Sequence, residues 1–290
     1  MPEIIHACGE HGVRAAIVIS AGFSEGDGKG LAYERAALDA ARQYQMRILG
    51  PNCLGLIRPS MGMNATFSKN SAQPGNLALV SQSGALCTAI LDWAAEHDIG
   101  FSTIVSLGDA ADIDFGDILD YLSQDAQTQS ILLYVEGIRD ARRFMSGLRI
   151  AARMKPVIVI KSGRHAEGSR AAMTHTGALI GSDNVFDAAL QRAGVVRAQT
   201  IDQLFAAAQL LTTQQRVSGN RLAIVTNGGG PGVMATDRAV DLGVKLAELS
   251  AESISNLDKI LPTHWSHQNP VDVLGDASPE RYEAAVSTCL

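Results

Sequence analysis

Residues 77–86 (LALVSQSGAL) decide the fold class of this chain. A short apolar run without alternation ends in two hydroxyl residues and a glycine, and a helical pattern follows. Such a run is typical of a parallel strand that is buried on both faces. Similar runs occur at 15–20, 131–136, 156–161 and 222–226, and helical patterns lie at 31–44, 84–97, 117–123 and 184–193. This alternation predicts a doubly wound α/β fold with open parallel sheets.

The composition favours a cytoplasmic protein with a sizeable core. Of the 290 residues, 46% are hydrophobic, and a chain of this length typically forms about two domains. The formal net charge of −6 argues against nucleic acid and anionic membranes as partners. No apolar run approaches the roughly 20 residues of a membrane span, and we find no signal peptide. The cysteines form no CxxC pair, so no zinc site is predicted: Cys8, Cys53, Cys87 and Cys289.

Two polar, turn-rich segments mark the predicted domain boundaries. Residues 68–76 (SKNSAQPGN) and 212–220 (TTQQRVSGN) each precede a new unit of strand, glycine-containing loop and helix. We therefore predict domains at 1–72, 73–216 and 217–290. The first segment shows a single clear strand, and the last ends inside a helical pattern. Both are expected to be truncated, and the chain is expected to be a piece of a longer polypeptide.

Both glycine-containing loops are candidate anion sites, because free N–H groups and the positive end of the dipole at a helix start attract anions. Simple N-capping at the first loop and a tight turn at the second are the alternative interpretations. Neither loop has the dinucleotide-binding fingerprint or the lysine of a P-loop, which disfavours an NAD-dependent oxidoreductase. The first loop comprises Ser81, Ser83 and Gly84, and the second comprises Asn227, Gly228, Gly229 and Gly230.

His175 is a candidate nucleophile, because the small residues around it (AMTHTGAL, 172–179) leave its ring accessible. A lone histidine is more often structural, so this interpretation requires an anion site within reach. His165 is the competing histidine, and its charged neighbours indicate a solvated loop.

Glu136 ends a buried strand, and a side chain at the carboxyl edge of a parallel sheet faces the ligand crevice. Its carboxylate could accept a hydrogen bond from histidine Nδ1 and leave Nε2 free to attack phosphorus. A surface ion pair with Arg139 or Arg142 is the alternative.

A further segment, residues 50–55 (GPNCLG), indicates only a turn and a buried cysteine when taken alone. Together with VSQSGAL (80–86), the run from SLGD to ILLYVEGI (106–138) and THTGALIGSD (174–183), it resembles the NDP-forming acyl-CoA synthetases. This family includes the α subunit of succinyl-CoA synthetase and archaeal-type ADP-forming acetate–CoA ligases. Residues 222–237 resemble the matching phosphate helix of the β subunit, so the resemblance covers essentially the whole chain.

The resemblance implies a role for each candidate residue. His175 matches the transiently phosphorylated histidine, and Glu136 matches the glutamate that steadies it. The two anion loops match the starts of two opposed helices aimed at the phosphohistidine. Asn52 and Cys53 match a loop near the acyl group and the CoA thiol, where we expect Cys53 to position groups and not to attack. A loop of the CoA-binding domain is matched by Ser20, Ala21 and Gly22.

The resemblance also implies a fold and a reaction. The fold is the end of a CoA-binding Rossmann domain followed by flavodoxin-like ligase domains. Acyl-CoA, phosphate and ADP would give acid, CoA and ATP through an acyl phosphate and a phosphohistidine, with acetyl or another short acyl group. The implied cofactors are coenzyme A and ADP/ATP with Mg. The nucleotide site would lie outside this chain, in an ATP-grasp domain or subunit, and we expect an oligomer.

A second group with this resemblance keeps another function open. Enterobacterial protein lysine acetyltransferases carry a similar region fused to a Gcn5-type acetyltransferase domain. RILGPNCLGLIRP (47–59) and HQNPVDVLGDASPERY (267–282) resemble that group. There the region can sense acetyl-CoA without catalysis, so a ligand-sensing module is the alternative function. The full-length sequence would distinguish the two.

Overall fold

The computed structural model describes residues 1–23, 28–165, 168, 182–212 and 219–290. The chain forms two compact units, Met1–Gln214 and Gln215–Leu290. Across the described ranges, every helix is too short or too polar to cross a membrane.

The first residues form a small layer of two parallel strands and two helices. Helix α1 (Pro2–Glu10) precedes β1 (Ala15–Ile17), and α2 (Gly28–Gln43) precedes β2 (Arg47–Leu49). The strands pair in parallel, and apolar side chains from all four elements and their loops form a separate small core. Sequence alone indicates only β1, because its apolar run continues to residue 20, whereas Ile48 and Leu49 are the only apolar residues of β2.

A seven-stranded sheet forms the centre of the first unit. Its strands are β3 (Gly55–Arg58), β4 (Met63–Thr66), β5 (Pro74–Ser81), β6 (Phe101–Ser106), β7 (Ser130–Val135), β8 (Val157–Lys161) and β9 (Val196–Ala198). Their order is β4-β3-β6-β5-β7-β8-β9. The last five are parallel, in the 2-1-3-4-5 order of flavodoxin-like folds. The predicted α/β fold is therefore confirmed.

Helices cover both faces of this sheet. α3 (Gly84–Glu96) and α7 (Ile201–Thr212) pack on one face. The other face carries α4 (Phe115–Gln124), α5 (Ala141–Met154) and α6 (Asp183–Ala193). Successive strand side chains enter opposite cores, which is why the parallel strands read as unbroken apolar runs.

The sheet has an antiparallel edge that sequence alone does not predict. β3 pairs antiparallel with both β4 and β6. The pattern at 50–56 predicts only a loop, because Gly50-Pro51 opens a turn and a small polar pair follows. In the structure Gly55 has a φ of 121°, and a Cβ on it would lie 2.1 Å from Ala65 O, so the hairpin itself requires the glycine. Both strands precede residue 72, so the predicted first domain contributes two edge strands to the sheet of the predicted second domain. The domain boundary at 72 stays a prediction.

β6 is buried along its whole length, although its sequence (FSTIVS) is half polar. Ser102 Oγ lies 2.7 Å from Thr128 Oγ1, and Thr103 Oγ1 donates to Ile57 O at 3.3 Å. Hydrogen-bonded hydroxyls are acceptable in a core. A search for apolar runs therefore overlooks this strand.

The second unit is a smaller α/β layer. It contains β10 (Arg221–Leu222), β11 (Val225–Thr226), α8 (Gly229–Asp241), β12 (Lys245–Leu246), α9 (Ala251–Ile260), β13 (Val271–Asp272) and α10 (Pro279–Cys289). The single strand predicted at 222–226 is wrong in detail, because β10 pairs with β12 and β11 with β13. The ladder breaks where Asn269 Oδ1 accepts the Ile224 N–H at 2.9 Å.

Candidate functional site

The first candidate anion loop is shaped by the hydroxyl of Ser81, the last residue of β5. Ser81 Oγ accepts the Ser83 N–H at 3.0 Å and donates to Ser83 O at 2.9 Å. Ser83 caps α3, and its Oγ accepts the Leu86 N–H at 3.2 Å. The capping interpretation is therefore confirmed. It is compatible with anion binding, because the N–H groups at the helix start from Gly84 have no intrahelical acceptor.

The loop of the second unit repeats this construction. Thr226 ends β11, and its Oγ1 accepts the Gly228 N–H at 3.1 Å and donates to Gly228 O at 2.9 Å. The next bond matches as well, since Gly232 N–H donates to Gly228 O just as Cys87 N–H donates to Ser83 O, both at 3.2 Å. Sequence reasoning missed Thr226. A hydroxyl residue at the end of a strand, two positions before a helix cap, is the signal that identifies it.

The predicted residues of the second loop lie where this repeat requires. Gly228 is the N-cap of α8, and Gly229 and Gly230 are its first residues. Asn227, Gly229 and Gly230 are exposed. The loop therefore offers accessible backbone at a helix start.

The two loops differ in the side chain that the neighbouring strand supplies. Ser106 lies opposite Ser81, and its Oγ accepts the Leu54 N–H at 2.9 Å. Asp272 lies opposite Thr226, and a Cβ on Gly229 would be 3.5 Å from Asp272 Oδ2. The neighbouring strand thus supplies a carboxylate at the second loop and a neutral hydroxyl at the first.

Glu136 follows β7 directly and is 8% exposed. The Oε1 atom of Gln82, which lies in the first anion loop, accepts the N–H groups of Glu136 at 2.7 Å and Gly137 at 3.0 Å. The alternative of a surface ion pair does not fit this burial, and Arg139 pairs instead with Glu34 at 3.0 Å. Sequence reasoning singled out Glu136 but not Gln82.

Tyr134 shares a sheet face with Glu136, because the two residues are two positions apart. Its side chain interacts electrostatically with the side chains of Ser162 and Glu136. Burial raises the pKa of Tyr134; the nearby Ser162 opposes this rise and the Glu136 charge adds to it. The phenol is therefore neutral at physiological pH.

The 50–53 loop joins the N-terminal layer to this sheet edge. The N–H of Asn52 donates to Ser20 O at 2.9 Å, and Asn52 Nδ2 donates to Asp109 Oδ1 at 3.3 Å. Ser20, Ala21 and Gly22 are exposed. The structure therefore brings the predicted CoA-binding residues Ser20 and Asn52 together beside an accessible loop.

Cys53 is buried and lies 3.4 Å from Val18 O and 3.8 Å from Leu49 O. Burial raises the pKa of Cys53 from 9.0 to about 11. A thiol with this pKa is a poor nucleophile at neutral pH. This supports the prediction that Cys53 positions the loop and does not attack substrate.

The loops at the strand ends pack closely on one another. Leu107 N–H donates to Ser81 O at 2.8 Å, and a Cβ on Gly108 would lie 2.2 Å from Pro51 O. A single edge of the sheet in the first unit thus carries part of the predicted site: Asn52, Cys53, Ser81, Ser83, Gly84 and Glu136. His175 lies outside the described residues, and the second loop belongs to the other unit.

A partly buried ionic cluster, defined here as Lys161, Asp183, Asp187 and Arg197, lies beside the end of β8. Lys161 Nζ donates to Ser162 O at 3.1 Å and lies 3.9 Å from Asp183 Oδ1. Arg197 binds Asp183 at 2.6 Å and Asp187 at 3.2 Å. Burial and the nearby Arg197 lower the pKa of Lys161, and Asp183 opposes this change. Sequence reasoning missed the cluster, because Lys161 lies far in sequence from the other three residues and only the fold brings them together.

No group of three or more potential metal ligands occurs among the residues that the structure describes.

Comparisons with known proteins match both units. A succinyl-CoA ligase like flavodoxin domain matches residues 74–211, and a ligase-CoA domain matches residues 222–290. The chain is 44% identical to ADP-forming acetate–CoA ligase I of Archaeoglobus fulgidus over 99% of this chain and 42% of that protein. It is 42% identical to the α subunit of ADP-forming acetate–CoA ligase I of Pyrococcus furiosus, over 100% of this chain and 63% of that subunit.

A solved structure shares the fold closely. The dinucleotide-forming acetyl-coenzyme A synthetase 1 of Ca. Korarchaeum cryptofilum, in complex with phosphate and ADP, superposes with a TM-score of 0.93 at 36% identity. The match covers 99% of this chain and 62% of that one. The chain thus spans less than two thirds of the length of each of these relatives.

Proposed function

We propose that this chain is the phosphohistidine-bearing part of an ADP-forming acyl-CoA synthetase. The chain consists of succinyl-CoA synthetase-like domains and is homologous to ADP-forming acetate–CoA ligase α subunits. The observation that carries the proposal is the single sheet edge at which the 50–53 loop, the Ser81–Gly84 loop and buried Glu136 meet. Coenzyme A, phosphate and a histidine would have to meet at such an edge.

In the proposed reaction, a phosphate oxygen attacks the carbonyl of a short acyl-CoA. The C–S bond breaks, the CoA sulfur takes up a proton, and an acyl phosphate remains. His175 Nε2 then attacks phosphorus and the carboxylate leaves. Finally an ADP oxygen attacks the phosphohistidine, the P–N bond breaks and ATP forms. Every step is reversible.

The chain's own contribution to these steps is positioning and charge. N–H groups at the start of α3 hold phosphate oxygens. Glu136 would accept a hydrogen bond from the Nδ1–H of His175, which orients the ring and stabilises the charged imidazole. Ser20, Ala21, Gly22, Asn52 and Cys53 form the proposed CoA and acyl end of the site.

The second loop has a proposed role in phosphoryl transfer as well. We propose that Asn227 to Gly230 receive the phosphoryl group at the start of α8, as the first loop does at α3. The matching hydroxyl bonds of Ser81 and Thr226 support this proposal. Asp272 would then favour a phosphoryl group whose charge is already partly neutralised.

The proposed partners follow from the same reaction. ADP/ATP with Mg would bind to an ATP-grasp domain or subunit outside this chain, where Mg would neutralise phosphate charge. The assembled enzyme would be an oligomer. Acyl-CoA, phosphate and ADP are consistent with the predicted cytoplasmic location.

The test is phosphorylation of the complete protein with labelled ATP and Mg. The expected adduct is acid-labile and base-stable and lies on His175, because a P–N bond breaks once its nitrogen is protonated. His175→Ala should abolish the adduct and turnover while CoA binding persists. His165→Ala is the matched control and should label normally, and Glu136→Gln should slow labelling.

A protein that binds acetyl-CoA but is never phosphorylated at His175 would overturn the synthetase proposal. That result would favour the acetyl-CoA-sensing region of a protein lysine acetyltransferase, with a Gcn5-type domain elsewhere in the protein.

A further inference from the structure

We infer that Gln82 is a positioning residue, which holds Glu136 in the orientation that acts on His175. This inference rests on the proposed phosphohistidine function and deepens it. Gln82 does its work through Glu136, and the carboxylate remains the group that meets the histidine.

The side chain of Gln82 bridges the first anion loop to the strand end at Glu136. Its Oε1 atom accepts two successive backbone N–H groups, Glu136 at 2.7 Å and Gly137 at 3.0 Å. Its own backbone N–H donates to Tyr134 O at 3.3 Å. One residue of the β5 loop thus continues the pairing of β5 and β7 beyond the last strand residues, where Ser81 lies opposite Tyr134.

These bonds fix the peptide plane between Glu136 and Gly137. Two N–H donors that share one acceptor cannot both be kept if that peptide rotates. Glu136 is 8% exposed, so a rotated peptide would leave buried polar groups without partners. The direction in which the Glu136 side chain leaves the backbone is therefore set by Gln82.

Tyr134 lies beside the same side chain, and its phenol interacts electrostatically with Glu136 and Ser162. Glu136 is thus held at its backbone by Gln82 of the β5 loop, and a neutral phenol adjoins its carboxylate. A carboxylate that must orient a histidine requires this degree of restraint, because a misplacement of about 1 Å can cost as much as about a hundredfold in rate.

The experiment is a double-mutant cycle in the complete protein, read as the initial rate of His175 phosphorylation at saturating ATP. The variants are Gln82→Met, Glu136→Gln and the pair. Gln82→Met alone should lower the rate by about tenfold. In the Glu136→Gln background, Gln82→Met should change the rate by less than about twofold, because the effects of substitutions at coupled residues are not additive. The ATP concentration for half-maximal rate should not change.

Three further variants separate positioning from folding. Gln82→Glu keeps an acceptor for both N–H groups and should lower the rate less than Gln82→Met does. Gln129→Leu is the matched control, since Gln129 also links β5 to β7, through Asn76 at the opposite end of the strands, and should label normally. If Gln82→Met does not fold, Gln82→Asn withdraws the acceptor with one methylene fewer and takes its place.

Multiplicative effects of Gln82→Met and Glu136→Gln would overturn the inference, because Gln82 would then act independently of Glu136. An unchanged rate in Gln82→Met would overturn it too. Neither result touches the proposed function, which fails only if the wild type forms no His175 adduct.

Discussion

At the scale of single residues, Cys53 shows how burial decides chemistry. Its thiol lies among carbonyl oxygens and apolar groups, and burial raises its pKa to about 11. Cys87 is also buried, and burial raises its pKa to about 12. Neither environment supplies the positive charge that a reactive thiolate needs.

We therefore expect Cys53 to resist alkylation by iodoacetamide at pH 8 in the native protein, whereas the partly exposed Cys8 reacts. Peptide mass spectrometry after a timed pulse measures both sites. The folded state disfavours the Cys53 thiolate, so burial of the neutral thiol contributes its full stabilisation of the fold below pH 9. That contribution is lost as the pH rises from 9.0 towards about 11. Modification of Cys53 at the rate of Cys8 would contradict this account.

The ionic cluster gives a second residue-scale prediction. Burial would raise the pKa of Asp183, but the hydrogen bond and charge of Arg197, with Lys161, lower it. Asp183→Asn should destabilise the protein by about 2 kcal/mol, because two largely buried cations lose a shared partner. Asp187→Asn should destabilise the protein less, since Asp187 pairs with only one of the two cations, Arg197. Urea unfolding at pH 7 measures both.

The same experiment has a defined pH dependence. The folded-state pKa of Asp183 is lowered, so its stabilisation is present above the ordinary pKa and is lost as the pH falls through the lowered value. The gap between wild type and Asp183→Asn should therefore narrow in acid. An equal loss for Asp183→Asn and Asp187→Asn at pH 7 would show that Lys161 does not depend on Asp183.

At the scale of elements, the two anion loops are variants of one design. In the first loop, the side chain of Ser81 lies beside that of Cys87. In the second, Thr226 has an extra methyl group and Gly232 has no side chain. A Cβ on Gly232 would lie 3.0 Å from Thr226 Cγ2. The larger strand residue is thus matched by the smaller helix residue.

We expect Gly232→Ala to destabilise the second unit by about 1 kcal/mol, even though alanine is the better helix former. Thr226 cannot turn its methyl away without breaking both hydrogen bonds to Gly228. In a Thr226→Ser background the same change should become stabilising, by up to about 1 kcal/mol. Thermal unfolding of the four proteins measures the reversal. A loss of equal size in both backgrounds would exclude the methyl contact as its cause.

At the scale of the whole molecule, sequence predicts the strands whose buried side chains are apolar and misses the strand whose buried side chains are largely hydrogen-bonded hydroxyls. The runs that become β5, β7 and β8 are correct to within three residues, because both of their faces meet apolar cores. β6 is missed because hydroxyls satisfied by partners elsewhere in the chain fill its core positions. The glycine of the β3–β4 hairpin is equally ambiguous in sequence, since only its contact with Ala65 explains it.

The site follows the same division. Ser83 and Glu136 can be predicted because a cap and a strand end are local patterns. Gln82 and Lys161 cannot be assigned from local patterns alone, because each has a partner that the fold brings to it. Sequence identifies side chains that are capable of the chemistry, whereas many of the hydrogen bonds that orient them form only in the tertiary structure.

The β3–β4 hairpin has a consequence for how genes of this kind can be divided. A break in the turn-rich segment at 68–76 would place two strands of the ligase sheet on a different polypeptide from the other five. Each product would expose an unpaired sheet edge until it met its complement, and such edges promote aggregation. The 50–53 loop would also be translated apart from the strands that fix it. Viable split points, whether natural or engineered, should therefore lie outside the stretch from the hairpin to the end of the flavodoxin-like sheet.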